Sequence, residues 1–213
     1  MGQSIRHLLD ESPEFTVQDF KVEKINIATQ SLVIDFSSPD YLPEILNTCV
    51  EKKLPLVLGT TGLNLNHHEL ISKAKQTIPI LMGSNMSIGI ATLKKSITNF
   101  LMSSEESFSC NLIEIHHTQK VDAPSGTAIE IMKFLEDLPG DKIQMPISVN
   151  SHRIGRAFGT HRVEFYNPRE NISFQHIAHS RDIFASGAIA AAQWIVSNPP
   201  GLYSFDDYLN KKL

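Results

Sequence analysis

Between residues 32 and 82 the chain alternates three short apolar runs with two amphipathic stretches, and that rhythm constrains the fold more than any other feature. Leu32-Val33-Ile34-Asp35-Phe36 is a strand-length run ended by Ser37-Ser38-Pro39. Residues 41–53 then place Leu42, Ile45, Leu46, Cys49 and Val50 at helical spacing. Residues 55–58 form a second buried-type run, stopped by Gly59-Thr60-Thr61-Gly62. A helix over 66–76 and a strand over 78–82 follow. Strand, helix, strand, helix, strand predicts a parallel sheet covered on both faces. Ligands of such sheets sit at the carboxyl ends of the strands, which directs attention to the loops 36–39, 59–62 and 83–87.

After residue 86 the pattern changes. A helix over 86–100, a strand over 108–117 and a helix over 128–138 precede three strand-like runs, 147–154, 161–166 and 172–178, with little helix between them. Short polar turns between consecutive strands predict an antiparallel or mixed sheet with helices on one face. An Ala-rich helix over 181–196 closes at Asn198-Pro199-Pro200-Gly201. The expectation is an α/β half followed by an α+β half, without internal repeats.

Composition narrows the function. With 19 Lys and Arg against 23 Asp and Glu, the chain carries a formal charge of −4 and has no basic stretch suited to a nucleic-acid backbone. No apolar run reaches the roughly 18 residues that span a bilayer. The first residues lack the basic and apolar regions of a signal peptide. Cys49 and Cys110 form no CxxC or zinc pattern, and two thiols in 213 residues suit a reducing cytoplasm.

The densest polar segment, residues 114–128, reads Glu-Ile-His-His-Thr-Gln-Lys-Val-Asp-Ala-Pro-Ser-Gly-Thr-Ala and runs from a strand through a loop into a helix. Ser125 or Thr127 can cap that helix, and Thr127-x-x-Glu130 has capping-box spacing. Gly126 lets a ligand approach the backbone, and N–H groups at a helix N-terminus bind carboxylates. Lys120 adds a cation, while His116 and His117 can carry protons near neutral pH. Together they suit a small substrate with carboxylates that is protonated during reaction. Adjacent strand residues face opposite ways, so both histidines reach one site only if the strand is already ending at His117. Standing alone, such a pair is more often structural. A zinc site needs a third ligand; His152, His161, His176 and His179 are available, but none forms an HxxxH helical pair, and a metal is not expected.

The same strings resemble one family in order. Residues 114–128 resemble the signature of dihydrodipicolinate reductases. Val-Ile-Asp-Phe-Ser at 33–37, Gly-Thr-Thr-Gly at 59–62 and Ser-Asn-Met-Ser-Ile-Gly at 84–89 are similar to that family's cofactor-side loops. Arg181-x-x-Phe184-Ala185-x-Gly187 resembles the start of its final helix. The resemblance implies an NADH- or NADPH-dependent reductase of a cyclic dicarboxylate imine, in lysine and diaminopimelate biosynthesis. His116 would donate or accept the proton, with Lys120 as second proton donor. His117, Ser125, Gly126 and Thr127 would hold the substrate carboxylates. Gly59, Thr60 and Thr61, with Gly83, Ser84, Asn85 and Met86, would line the cofactor. It also implies a Rossmann-like parallel-sheet domain over 1–87 and 181–213. Residues 88–180 would form an α+β domain that binds substrate and builds a homotetramer.

One departure carries an expectation of its own. Family members begin with a strand and a turn ending Gly-x-x-Gly-Arg-Met-Gly, whereas Met1-Gly2 matches only the tail of that motif. The first strand and its pyrophosphate-binding turn are expected to be missing, and the next strand and helix reduced, with residues 15–19 as their remnant and Asp19 as a candidate ribose ligand. Residues 138–147 also look compressed. That raises an alternative of another class, a non-catalytic descendant that binds dicarboxylates or acts as a scaffold.

Overall fold

The computed structural model describes residues 1–10, 12, 15–20 and 31–210. It divides into two compact units, Met1–Met86 with Asp182–Leu213, and Ser87–Arg181.

The first unit is built on a parallel sheet of β1 (Val33–Asp35), β2 (Leu56–Leu58), β3 (Pro79–Met82) and β8 (Gly201–Ser204), in that order. Alternation along these buried strands supplies two cores. Leu56, Leu58 and Ile80 join Leu42, Ile45 and Leu46 of α2 (Leu42–Lys52) and Ile71 of α3 (Leu65–Ala74). Val57 and Leu81 join Ala185, Ala188, Ala191 and Ala192 of α6 (Asp182–Ile195), with Tyr208 of α7 (Phe205–Asn210) and Ile5 of α1 (Gly2–Asp10). A sheet buried on both faces needs apolar residues at successive positions, which is why these strands read as continuous runs. The alanines of α6 have a specific neighbour. A Cβ on Gly187 would lie 1.7 Å from the carbonyl oxygen of Met86, so only glycine allows the helix its closeness to the end of the third strand segment.

This unit differs from expectation at its start and at its end. The remnant strand at 15–19 has no regular structure; the ordered element near the start is α1, and Asp19, considered as a ribose ligand, forms an ion pair with Arg6 at 2.6 Å. The reduced strand and helix expected between Gly2 and Val33 fall largely on residues 21–30, outside the described residues. Two further elements, β8 and α7, follow residue 196. Four strand residues and six helical ones are too short to show a period, and Asp207 supplies the turn by accepting from the backbone N–H and hydroxyl of Ser204, both at 2.7 Å.

The second unit is a mixed sheet, ordered β5 (Ile143–Arg153), β4 (Phe108–His116), β6 (Gly159–Tyr166) and β7 (Asn171–Ala178). The first pair is parallel and the others antiparallel. Parallel pairing of β4 and β5 requires a crossover, supplied by α5 (Gly126–Glu136). With α4 (Ile88–Ser103), α5 covers one face of the sheet. β5 begins four residues earlier than the 147 expected from the sequence. Pro146 cannot donate to the ladder, and the pairing slips between Ser109 and Asn111 before resuming. Phe100, Phe108, Phe165 and Phe174 pack with ring centroids 5.2–6.3 Å apart in the core of this face. Burying side chains of this size contributes about 1.5–3 kcal/mol each.

The register of the four strands stacks residues of the helix-covered face into rungs. Val149, Leu112, Val163 and Phe174 form one apolar rung. The next rung towards the carboxyl end of β4 is polar throughout: Ser151, Glu114, His161 and His176. Beyond it, Arg153 pairs with His116. The candidate site is the place where the apolar stripe stops.

Candidate active site

Glu114 is fully buried, His161 is 3% exposed and His116 is 7% exposed. β4 ends at His116, so His117 belongs to the following loop and is released from strand alternation. That loop is anchored at both ends. The Ile154 N–H donates to His116 O at 2.7 Å, and the Lys120 N–H donates to His117 O at 3.1 Å. Ser125 ends it as the N-cap of α5, its Oγ accepting from the Ala128 N–H at 3.2 Å. The alternative cap at Thr127 does not form. Helix α5 begins at Gly126, which makes Thr127 its second residue, and Glu130 pairs with Lys94 on α4 at 3.0 Å.

Glu114 organises the site. One carboxylate oxygen, Oε2, faces His116 Nδ1 in a short contact, and the other, Oε1, is paired with Arg153 Nη2 at 2.9 Å. Burial by itself would raise the Glu114 carboxyl, yet hydrogen bonds from Arg153 and Ser151 and the nearby His116 hold it below the usual carboxylate range. An ionised carboxylate can only accept, so Nδ1 of His116 carries the proton and Nε2 is left for chemistry. Burial pushes the His116 ring down, against the raising influence of Glu114, with Lys120 and Arg153 adding to the decrease. Gly159 gives Nε2 its room, since a Cβ there would lie 3.0 Å from it.

The two remaining histidines of the polar rung hold helix starts. His161 Nε2 lies 3.2 Å from the Oγ of Ser125, the cap of α5. His176 Nε2 lies 3.5 Å from the Oγ of Ser87, the cap of α4. Gly89 makes the second contact possible, because a Cβ would meet His176 at 2.5 Å. Burial pushes His161 down to about 3, with His116 contributing, and lowers His176 as well.

Lys120 is held by Asp122, 2.8 Å from both carboxylate oxygens. In front of α5, a Cβ at Gly126 would meet nothing within 4 Å, so the space at the helix N-terminus is open. Glu114, His116 and His161 also present ligand atoms within 4.8 Å of one another, the spacing of a metal site. Arg153 pairs with Oε1 of Glu114 and His116 faces Oε2, so the carboxylate already has a positive charge and a proton donor beside it.

In the other unit, the carboxyl ends of β1, β2 and β3 carry the three loops expected to face a cofactor. Asp35 ties two of them together. Its Oδ1 accepts from the Ser37 N–H at 3.0 Å and the Ser37 hydroxyl at 2.5 Å, and its Oδ2 accepts from the Thr60 hydroxyl at 2.7 Å. Thr60 is therefore buried and Thr61 exposed. Gly59 packs on Phe36, whose ring a Cβ would meet at 2.0 Å, and Gly62 adopts φ 78°. Of residues 83–86, Ser84 is exposed and Gly83 and Asn85 are half-buried, whereas Met86 lies in the core at 1% exposure. Exposed backbone and small side chains at parallel strand ends fit a dinucleotide. Thr61, Gly62 and Ser84 are the groups that could touch one.

Family models described as dihydrodipicolinate reductase, N-terminus and dihydrodipicolinate reductase, C-terminus match residues 1–86 and 89–209. This chain belongs to the dihydrodipicolinate reductase family. Similar curated proteins carry the name 4-hydroxy-tetrahydrodipicolinate reductase. The one from Bdellovibrio bacteriovorus is 36% identical over 98% of this chain and 91% of its own length. The one from Nitratiruptor sp. is 39% identical over 86% of this chain and 78% of its own length. Among solved structures, a dipicolinate-bound dihydrodipicolinate reductase from Paenisporosarcina sp. TG-14 shares the fold, with TM-score 0.63 and 20% identity over 80% of this chain and 70% of that one. For the reductase family fold, the parallel sheet with helices and the second, mixed sheet agree with the architecture expected from the sequence. Among the described residues no helix is long and apolar enough to cross a membrane.

From the sequence, Glu114, Arg153 and Asp35 carry no role of their own, and His161 enters only as an available third ligand for a zinc site that is not expected. A signal for two of them, Arg153 and His161, was present. Ile147 and Val149 continue at period two into Ser151 and Arg153, and Val163 and Phe165 run back to His161. Polar residues that continue an apolar stripe towards one end of a strand mark where a core gives way to a site.

Proposed function

We propose that this chain reduces 4-hydroxy-tetrahydrodipicolinate to tetrahydrodipicolinate with NADH or NADPH, within lysine and diaminopimelate biosynthesis. The observation that carries the reading is the buried Glu114–His116 pair on a strand leading to Lys120 and the open N-terminus of α5. Residues 88–180 bind the substrate, and residues 1–87 with 181–213 bind the cofactor, with Thr61, Gly62 and Ser84 in contact and Gly59, Thr60, Gly83, Asn85 and Met86 shaping the loops that carry them. The nicotinamide supplies the hydride when bound, and the protein supplies a proton, orientation and complementary charge while water leaves.

His117, Ser125, Gly126 and Thr127 hold the substrate carboxylates, helped by the positive end of the α5 dipole. A dianion arriving beside His116 offsets the burial that lowers its ring, so the imidazolium forms where substrate is present. Glu114 stabilises that cation from Nδ1, and Nε2 delivers the proton. Lys120 is the second proton donor, and the substrate carboxylates compete with Asp122 for its ammonium group. We further propose a cytoplasmic homotetramer built on the second unit. Its sheet face away from the helices carries Ile113, Ile115, Tyr166 and Ile177, and both cysteines are free.

Calorimetry with NADH and NADPH, with and without pyridine-2,6-dicarboxylate, tests the reading together with turnover of His116→Asn and Lys120→Met. Cofactor binding that tightens with the dicarboxylate, and kcat losses of about 10²–10⁴-fold in each variant, are expected. Dicarboxylate binding without cofactor binding, and no turnover, would instead establish a non-catalytic descendant.

A further inference from the structure

Arg153 is placed as a hub. It leaves the last residue of β5, and its side chain is 19% exposed. One guanidinium reaches four acceptors: Glu114 Oε1 at 2.9 Å, Lys120 O at 3.2 Å, His152 O at 2.8 Å, and Asp122 O in a short contact. Two of these belong to the loop that carries Lys120. A third belongs to the carboxylate that holds His116. Such a fan needs the planar arrangement of five N–H donors, which a lysine ammonium cannot reproduce.

We propose that Arg153 and Glu114 are positioning residues, which together set the tautomer of His116 and fix the Lys120 loop against it. The proposal rests on His116 and Lys120 being the proton-transfer groups described above. Arg153 is ion-paired with Oε1, and Oε2 is the oxygen that faces the imidazole. Nδ1 then carries a proton and Nε2 does not. The same guanidinium draws the carbonyls of Lys120 and Asp122 towards Glu114. The separation of the two proton-transfer groups therefore follows from one side chain.

The arrangement makes a specific prediction for Glu114→Gln. An amide has one acceptor oxygen, and Arg153 requires it. The amide nitrogen is then turned towards His116 Nδ1 as a donor, which drives the ring proton to Nε2. Nitrogen-15 NMR of the histidine rings, assigned with His116→Asn, reads this directly. The wild type should show His116 protonated on Nδ1 at neutral pH, and Glu114→Gln should show it on Nε2. Turnover of Glu114→Gln and Arg153→Lys should fall about 10²-fold in kcat with much smaller changes in KM, as expected when proton transfer and not ground-state binding is impaired.

A wild-type His116 protonated on Nε2 overturns the proposal without any variant, so failure of a variant to fold does not shelter it. So does an unchanged tautomer and kcat in Glu114→Gln while His116→Asn is inactive; in that case the proposed reaction stands and only the positioning falls. If His116→Asn turns over like the wild type, the catalytic reading falls and the positioning role with it, even where the tautomer shift is seen.

Discussion

His161 offers the sharpest test of the polar rung, because its burial converts into a pH dependence of stability. The ring is 3% exposed, and burial, reinforced by His116 and His176, lowers it from 6.5 to about 3. The folded protein therefore refuses a proton that the unfolded chain accepts between these values. Stability from this group is complete above pH 6.5 and is lost as pH falls towards 3. At about 1.4 kcal/mol per pH unit, lowering the pH from 7.5 to 5 removes roughly 2 kcal/mol. The control is His161→Gln, whose amide can still contact Ser125 Oγ but does not titrate. Urea unfolding of both proteins at pH 7.5 and 5, followed by circular dichroism, isolates the term, since every other group titrates in both. The wild type should lose about 2 kcal/mol more than the variant over that interval. Equal losses would refute the reasoning. They would mean that Glu114, the one carboxylate that raises His161, compensates for burial and lets the ring protonate inside the fold.

Gly187→Ala should destabilise the first unit by about 1–3 kcal/mol or more in denaturant titrations, because the new methyl meets the Met86 carbonyl, a backbone group that cannot turn aside. Asp35→Ala leaves the buried Thr60 hydroxyl without its acceptor, at a cost of about 1–3 kcal/mol. Calorimetry should then show weaker binding of NADH or NADPH with pyridine-2,6-dicarboxylate binding unchanged. Ser125→Ala removes the cap of α5 and should cost about 1 kcal/mol, with a weaker dicarboxylate affinity in the same titration. Cys49 and Cys110 are both buried and both pushed up to about 12, chiefly by burial. A disulfide reagent at pH 8 should therefore label neither thiol until the protein is unfolded, whereas rapid labelling would show that one of them reaches solvent.

The legible part of this molecule is the part where one period dominates. Leu56-Val57-Leu58 and Ile80-Leu81 read as buried parallel strands because both faces of their sheet are covered. Residues 161–166 read as a half-covered strand because Val163 and Phe165 alternate with Arg162 and Glu164. Boundaries were less legible, because caps decide them and several residues compete for the role. Ser125 and Thr127 are equivalent as strings, and only the helix start at Gly126 separates them. The short elements β8 and α7 had no period to read, and β8 finds its partner β3 about 120 residues away in the chain. Of the candidate site, the chemistry of His116, Lys120 and the Ser-Gly-Thr turn was visible as local sequence. The stripes that lead to Arg153 and His161 were also local, but their relation to Glu114 was not, since it depends on strand register, which no local pattern contains.

Register also accounts for the cost and placement of the site. Replacing the rung of Ser151, Glu114, His161 and His176 with apolar residues of similar size would extend the core by one layer, and buried ion pairs are often no more stabilising than such replacements. The rung is retained at the carboxyl end of β4, where it does three things an apolar layer cannot. Glu114 orients the ring of His116 through Nδ1. His161 and His176 each meet the serine that starts a helix, so the starts of α4 and α5 are located by the same layer that locates the imidazole. Glu114 also gives Arg153, from the next pair along the strands, a carboxylate to pair with, and the Lys120 loop is drawn onto the layer with it. A substitution in this rung should therefore disturb helix capping, imidazole tautomer and loop position together, while one in the Leu112–Val163–Phe174 rung should lower stability and leave the tautomer of His116 as it is.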